Sequence, residues 1–162
     1  MHGIARALKA IVQEFFILSQ YDRILCEAPT ATQIVASNVL PLVSKAMREL
    51  RSLLCEKNIK ESYERLSKAY AILSSLSRGE VPLHVMKGPV TADSTRPAIA
   101  LDEAHHLIHE ALDLLSKTSG LEPWLRETIE IVSKARRDTH PMVLYRTAMK
   151  LLKNHMSRAR RT

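Results

Sequence analysis

Residues 101–115 read LDEAHHLIHEALDLL. At about 100° per residue, Leu101, Ala104, Leu107, Ile108, Ala111, Leu114 and Leu115 fill one arc, and Asp102, His106, His109 and Asp113 fill the opposite one. The stretch is an amphipathic helix whose apolar stripe is wide enough to lie on a core. Working outward, the same period recurs. Ile4, Leu8, Ile11, Phe15, Leu18 and Leu25 alternate at spacings of four and three, with Val12 and Phe16 widening the stripe, and predict a helix over 3–26. Ala28-Pro29-Thr30 is expected to stop it. Thr30 with Gln33 then reads as a capping box for a second helix over 34–57, kinked or restarted at Pro41. A third helix is expected over 59–77, with Ile59, Tyr63, Leu66, Tyr70 and Leu73 on one face. Three more follow at 100–118, 122–137 and 141–160, with Pro123 and Pro141 in first turns, where a missing N–H costs nothing.

Residues 78–99 carry Gly79, Pro82, Gly88, Pro89 and Pro97 with no helical period, and read as a long central loop. The expected fold is all-α: a bundle of about six helices with a kinked N-terminal helical segment (1–77), a connecting loop (78–99) and a C-terminal helical bundle with a basic last helix (100–162). A chain of 162 residues with four Gly suits one globular core and excludes collagen-like, disordered and sheet-dominated classes. No apolar run reaches the roughly 18 residues of a spanning helix. The start, MHGIARALKAIV, lacks a signal-peptide cleavage site, so neither export nor membrane insertion is expected. Cys26 and Cys55 have no CxxC spacing and read as buried small hydrophobes, with a disulfide between them as the alternative.

Asp102, His106, His109 and Asp113 could place four metal ligands on one face, and Glu103 with His106 forms a Glu-x-x-His pair. They point away from the core, and the second Glu-x-x-His of a di-iron bundle is absent. A solvated or inter-subunit face is expected, with no metal and no cofactor. Arg78 and His84 have the spacing of an Arg/His ribonuclease pair, but Pro82 lies between them in a turn-rich stretch and no supporting motif accompanies them. There is no Gly-rich phosphate loop, no Gly-x-Ser-x-Gly elbow and no Cys/His nucleophile pairing, so no enzyme is expected.

Charge is the more informative signal. The chain carries 24 Lys+Arg against 17 Asp+Glu, net +7. Residues 134–162 hold Lys134, Arg136, Arg137, Arg146, Lys150, Lys153, Arg158, Arg160 and Arg161 against Asp138 alone, so the whole excess belongs to the last two helices. On the last helix Arg146, Lys150, Lys153, Arg160 and Arg161 share about a 100° arc, opposite Leu144, Tyr145, Ala148, Met149, Leu151, Leu152 and Met156. Lys45, Arg48 and Arg51 make a shorter stripe, and Arg6 and Lys9 lie one turn apart. Such charges track a phosphate backbone without reading sequence. Asn and Gln are scarce, and the aromatics fall mostly on apolar faces, as core residues would. Duplex recognition by shape and charge is expected over stacking on single strands.

Two stretches carry a family resemblance. APTATQIVASNVLPLV, with Thr30, Ala31, Ile34, Asn38, Val39 and Pro41, resembles a segment of the major capsid proteins of filamentous and rod-shaped archaeal DNA viruses (rudiviruses, lipothrixviruses, tristromaviruses). SGLEPWLRETIEIV, with Gly120, Pro123, Leu125 and Ile129, resembles the last core helix of the same fold, in the same chain order. Together they cover about 30 residues. The resemblance implies a coat protein whose N-terminal segment wraps linear double-stranded DNA in the A form while the C-terminal bundle packs into a helical shell. It further implies location in the virion, self-assembly or a heterodimer with a paralogous capsid protein, and in some of these viruses a lipid envelope. Carried over by position, Arg6, Lys9, Arg23, Lys45, Arg48 and Arg51 would face DNA. The chain departs from the pattern by continuing about 30 residues past the second motif, and those residues hold the net charge. Both basic sets are therefore candidates. The alternative is a small basic helical nucleic-acid-binding subunit of a cellular ribonucleoprotein complex.

Overall fold

The computed structural model describes residues 2–87, 95–118 and 123–161, with side chains described for 23–87, 95–118 and 123–159. Among these, apolar side chains recur at helical spacing from Ile24 to Leu50 without a gap, and one helix carries them all: α1 (His2–Leu50) runs unbroken for 49 residues through Pro29 and Pro41. The expected stop at Pro29 and restart at Pro41 do not occur. Both proline residues are exposed: Pro41 lies on the outer side of the helix, and Pro29 at the edge of its core face, where it lines a small cavity with Gln33, Leu76 and Gly79. A proline inside a helix costs about 3 kcal/mol. Burial of Val35, Val39, Val43 and Leu50 on the core side contributes about 1.5–3 kcal/mol each, together at least the cost of the two prolines. Thr30 is therefore mid-helix and caps nothing. Its supposed partner Gln33 instead donates Nε2 to the Ser77 carbonyl, 3.1 Å away.

A turn of 3-10 helix (Arg51–Leu53) leads to α2 (Lys57–Ser77), where Glu56 is the N-cap and its Oε2 accepts from the Ile59 N–H at 2.8 Å. Gly79, at φ 76°, ends α2: the Glu80 N–H reaches back to the Ser75 carbonyl, a closure that favours glycine. A short helix, α3 (Leu83–Met86), interrupts the central loop. Then come α4 (Arg96–Ser116), α5 (Pro123–Asp138) and α6 (Pro141–Arg161), close to the expected bounds, with Pro123 and Pro141 at their first positions. The described residues form an all-α bundle of six helices with no strand. Among them no helix is long and apolar enough to cross a membrane.

Polar ties fix the topology. Gln33 meets the end of α2; Ser62 and Arg65 on α2 meet Ala111 and Glu110 on α4; His105 and His109 on α4 meet Thr139 and Arg136. Residue numbers rise on one partner as they fall on the other, so α1, α2, α4 and α5 alternate in direction around one core. That core includes Val39, Val43 and Leu50 from α1, Leu66 and Leu73 from α2, Leu101, Ile108 and Leu115 from α4, and Leu125 and Val132 from α5. The core thus draws on both sides of the central loop. Helix α6 lies outside this four-helix set and packs on α1, where Ala148 joins Ile24 and Ala31 in a small second cluster.

Three expectations about individual side chains are corrected. Cys26 and Cys55 are both exposed free thiols, because Cys26 lies on the outer side of α1 and Cys55 in the turn that follows it. The described aromatics divide: Tyr63 and Trp124 are half-buried and pack against the core, whereas Tyr70 and Tyr145 are exposed. On α6 only Ala148 is buried, Leu144, Met149, Leu151 and Leu152 are half-buried, and Tyr145 and Met156 are open to solvent.

Candidate nucleic-acid interface

Four side chains expected to bind nucleic acid, Arg6, Lys9, Arg160 and Arg161, lie outside the described ones. The remainder form two separate groups. Lys45, Arg48 and Arg51 are exposed at the C-terminal end of α1. Lys134, Arg136 and Arg137 end α5, and Arg146, Lys150, Lys153 and Arg158 run along α6; all are exposed except Arg136, which is half-buried. Arg23 belongs with this second group in space, because Glu27, one turn on from it, accepts from His155 of α6 at 2.7 Å. Lys45, Arg48 and Arg51 stand roughly six turns further along α1 and form a group of their own.

Elsewhere some surface charges pair locally, while among the described residues Lys57, Lys60, Lys68, Lys87 and Arg126 do not. Arg65 meets Glu110 at 2.9 Å, Arg78 meets Glu80 at 3.6 Å and Lys117 meets Asp113 at 4.0 Å. By contrast, among the described residues none of the basic side chains of either group is in an ion pair. Unopposed charges on one helix and the adjoining helix end add to a field that survives beyond contact range, out to the Debye length of about 8–10 Å. A field of this sign attracts polyanions in general.

Sequence reading missed the feature that organises this surface. Helices α4, α5 and α6 enclose a cleft of about 590 Å³ lined by His105, His109, Arg136, Arg137, Asp138, His140, Met142, Val143 and Arg146. The His105 ring lies 5.8 Å from that of His140, edge to face, and its Nδ1 is 2.9 Å from the Thr139 hydroxyl. Arg136 Nη1 lies 3.4 Å from His109 Nδ1; a guanidinium only donates, so Nδ1 is the acceptor. Burial holds His105 below its ordinary value of 6.5, aided by the neighbouring His106 and His140 and opposed by Asp102 and a backbone hydrogen bond to Arg136. The only sequence signal for this cleft was the histidine content of α4. That His105 would face residue 140 depends on α4 and α5 pairing in opposite directions.

The remaining sequence candidates are dispersed. Glu103 binds His84, with Nε2 to Oε2 at 2.6 Å, and His106 faces Asp102 at 3.3 Å, so the Glu-x-x-His pair is split between different partners. Among the described residues no three His, Cys, Asp or Glu side chains are placed to hold a metal ion. Arg78 is engaged by the Ser74 hydroxyl at 2.7 Å and by Glu80, and does not meet His84. Tyr145, next to Arg146, offers an exposed ring beside the basic group. No family model, curated protein or solved structure matches the chain.

Proposed function

We propose that this chain is a structural nucleoprotein that coats linear double-stranded DNA without sequence preference and assembles with copies of itself, or with a related chain, into a helical filament of the capsid type, with no catalytic role. The observation that carries the reading is the run of unpaired cations on the end of α5 and along α6, where Asp138 is the one carboxylate among them. Helices that present many Lys and Arg with few base-reading amides, Asn154 alone on α6, suit a phosphate backbone, and the closely spaced phosphates of an A-form duplex above all. Tyr145, Met142 and Met156, exposed on α6, give a lattice of copies apolar surface to bury.

The test is electron microscopy of the protein with and without linear duplex DNA at low salt. Filaments of constant diameter that require DNA are the expected outcome; discrete particles despite demonstrated binding would reject the coat-protein reading. One observation favours a second reading. An exposed Tyr145 beside Arg146 is the arrangement on which an unpaired base stacks, as in a ribonucleoprotein subunit. Tighter binding to single-stranded RNA than to duplex DNA at equal salt, lost in Tyr145→Ala, would favour it.

A further inference from the structure

The cleft between α4, α5 and α6 brings three guanidinium groups and three imidazoles around a single carboxylate. We propose that it is a discrete binding site for a tetrahedral oxyanion, a phosphate group, in which Arg136, Arg137 and Arg146 supply fixed charge and His105 supplies a donor that appears only when its ring is protonated. The site stands independently of the nucleoprotein reading: its ligand is phosphate, whether in a nucleic-acid backbone or free.

The hydrogen bonds define the tautomers. His140 Nδ1 accepts from the Met142 N–H at 3.0 Å, so the proton of the neutral His140 ring is on Nε2. The Thr139 hydroxyl directs its one proton at the backbone carbonyls of Ala135 and Arg136, 2.9 and 3.1 Å away. It therefore accepts from His105 Nδ1, and the neutral His105 ring carries its lone pair on Nε2. Protonation at that nitrogen turns an acceptor into a donor.

Every charged element around His105 bears on that step. On α4 Asp102 favours the proton and His106 disfavours it, His140 disfavours it from the α6 side, and a backbone hydrogen bond to Arg136 favours it. His109, Arg136, Arg137, Asp138 and Arg146 also line the cleft, where three guanidinium groups outnumber the one carboxylate. Burial is the largest cause, and the balance holds His105 below its ordinary value. An oxyanion reverses this balance, because its charge offsets the guanidinium groups and stabilises the imidazolium. Binding then takes up a proton, and by linkage acid strengthens binding. The planar guanidinium fork matches phosphate oxygens, and a cleft of about 590 Å³ holds the group with part of its water.

The experiment follows the histidine ring resonances by NMR during titration with sulfate, a tetrahedral anion whose charge is constant over the relevant range, at about pH 5.5 and about pH 7.5. Saturable shifts of His105 and His140 are expected, with affinity falling by up to about tenfold per pH unit as pH rises above the lowered His105 value. Arg146→Gln, an exposed position on α6, is expected to weaken sulfate about tenfold, whereas Lys60→Gln, which removes the same charge from α2, leaves it unchanged. His105→Gln is expected to flatten the pH dependence, with a thermal melt showing that the fold is kept. Absence of shifts, shifts equal in Arg146→Gln, or affinity independent of pH would overturn the site. Addition of a short duplex separates the sources: displacement of sulfate identifies backbone phosphate, and undisturbed sulfate identifies a free oxyanion. Duplex binding with His105 and His140 unmoved by either anion rejects this site and leaves the nucleoprotein reading standing; sulfate binding without duplex binding does the reverse.

Discussion

Ser62, fully buried on α2, donates its hydroxyl to the backbone carbonyl of Ala111 on α4, 3.0 Å away across 49 positions of sequence. The bond fixes the register of the α2–α4 pair, where the buried Ala69, Ala104 and Ala111 leave little room between the helices. Ser62→Ala is expected to cost about 1 kcal/mol, the net worth of one intramolecular hydrogen bond. Ser62→Leu is expected to cost about 1–3 kcal/mol through overpacking. Urea unfolding of the two variants measures both, and equal stability of Ser62→Leu and the parent chain would show that the interface is looser than its burial implies.

Thr32 presents the opposite case. It is fully buried on α1, and among the described residues its Oγ1 is the one buried side-chain polar atom with no hydrogen-bond partner. Thr32→Val keeps the shape and removes the unpaired oxygen, and is expected to stabilise the chain by about 1–3 kcal/mol, the desolvation penalty it relieves. A lower melting temperature in the variant would contradict this.

Replacement of Arg146, Lys150 and Lys153 by glutamine is expected to reduce the slope of log affinity for B-form duplex against log salt by about 2.7, at roughly 0.9 for each phosphate that is no longer neutralised. The same replacement at Lys45, Arg48 and Arg51 measures the other group separately. An unchanged slope in the first variant would remove α6 from the interface.

Stability is also expected to depend on pH through His105. Its folded value lies below 6.5, so the unfolded chain binds the proton more readily. The favourable contribution is fully present above about pH 6.5 and is lost as pH falls from there through the lowered folded value, below which it changes no further. Thermal melts of the parent and His105→Gln across that window should show the shallower acid loss in the variant. An identical acid loss would assign it to other groups.

The fold was largely legible where a single residue has one structural use. Pro123 and Pro141 marked helix starts and Gly79 a helix end because ring closure and a positive φ restrict each to few positions. Pro29 and Pro41 misled because local cost was weighed without the packing on the core face, which only the assembled bundle reveals. The same limit hid the cleft. Arg136, Arg137 and Arg146 were visible as charge, but Thr139 and His140 acquired a role only when α5 turned back against α4. Tyr145 and Met156 were misjudged because an apolar stripe does not disclose how many neighbours a helix will have, and α6 leaves both exposed.

One unbroken α1 also makes the protein a ruler. Arg23 and Arg48 stand on nearly the same side of its helical wheel, separated by roughly 37 Å at 1.5 Å per residue. That interval is close to the repeat of a B-form duplex, about 34–36 Å, and exceeds the shorter repeat of the A form. Two charged stations on one rod share a fixed spacing and a fixed phase, so a rod-like polyanion lying along α1 meets both when its own period agrees and one when it does not. A helix interrupted at Pro29 or Pro41 would have left that distance adjustable.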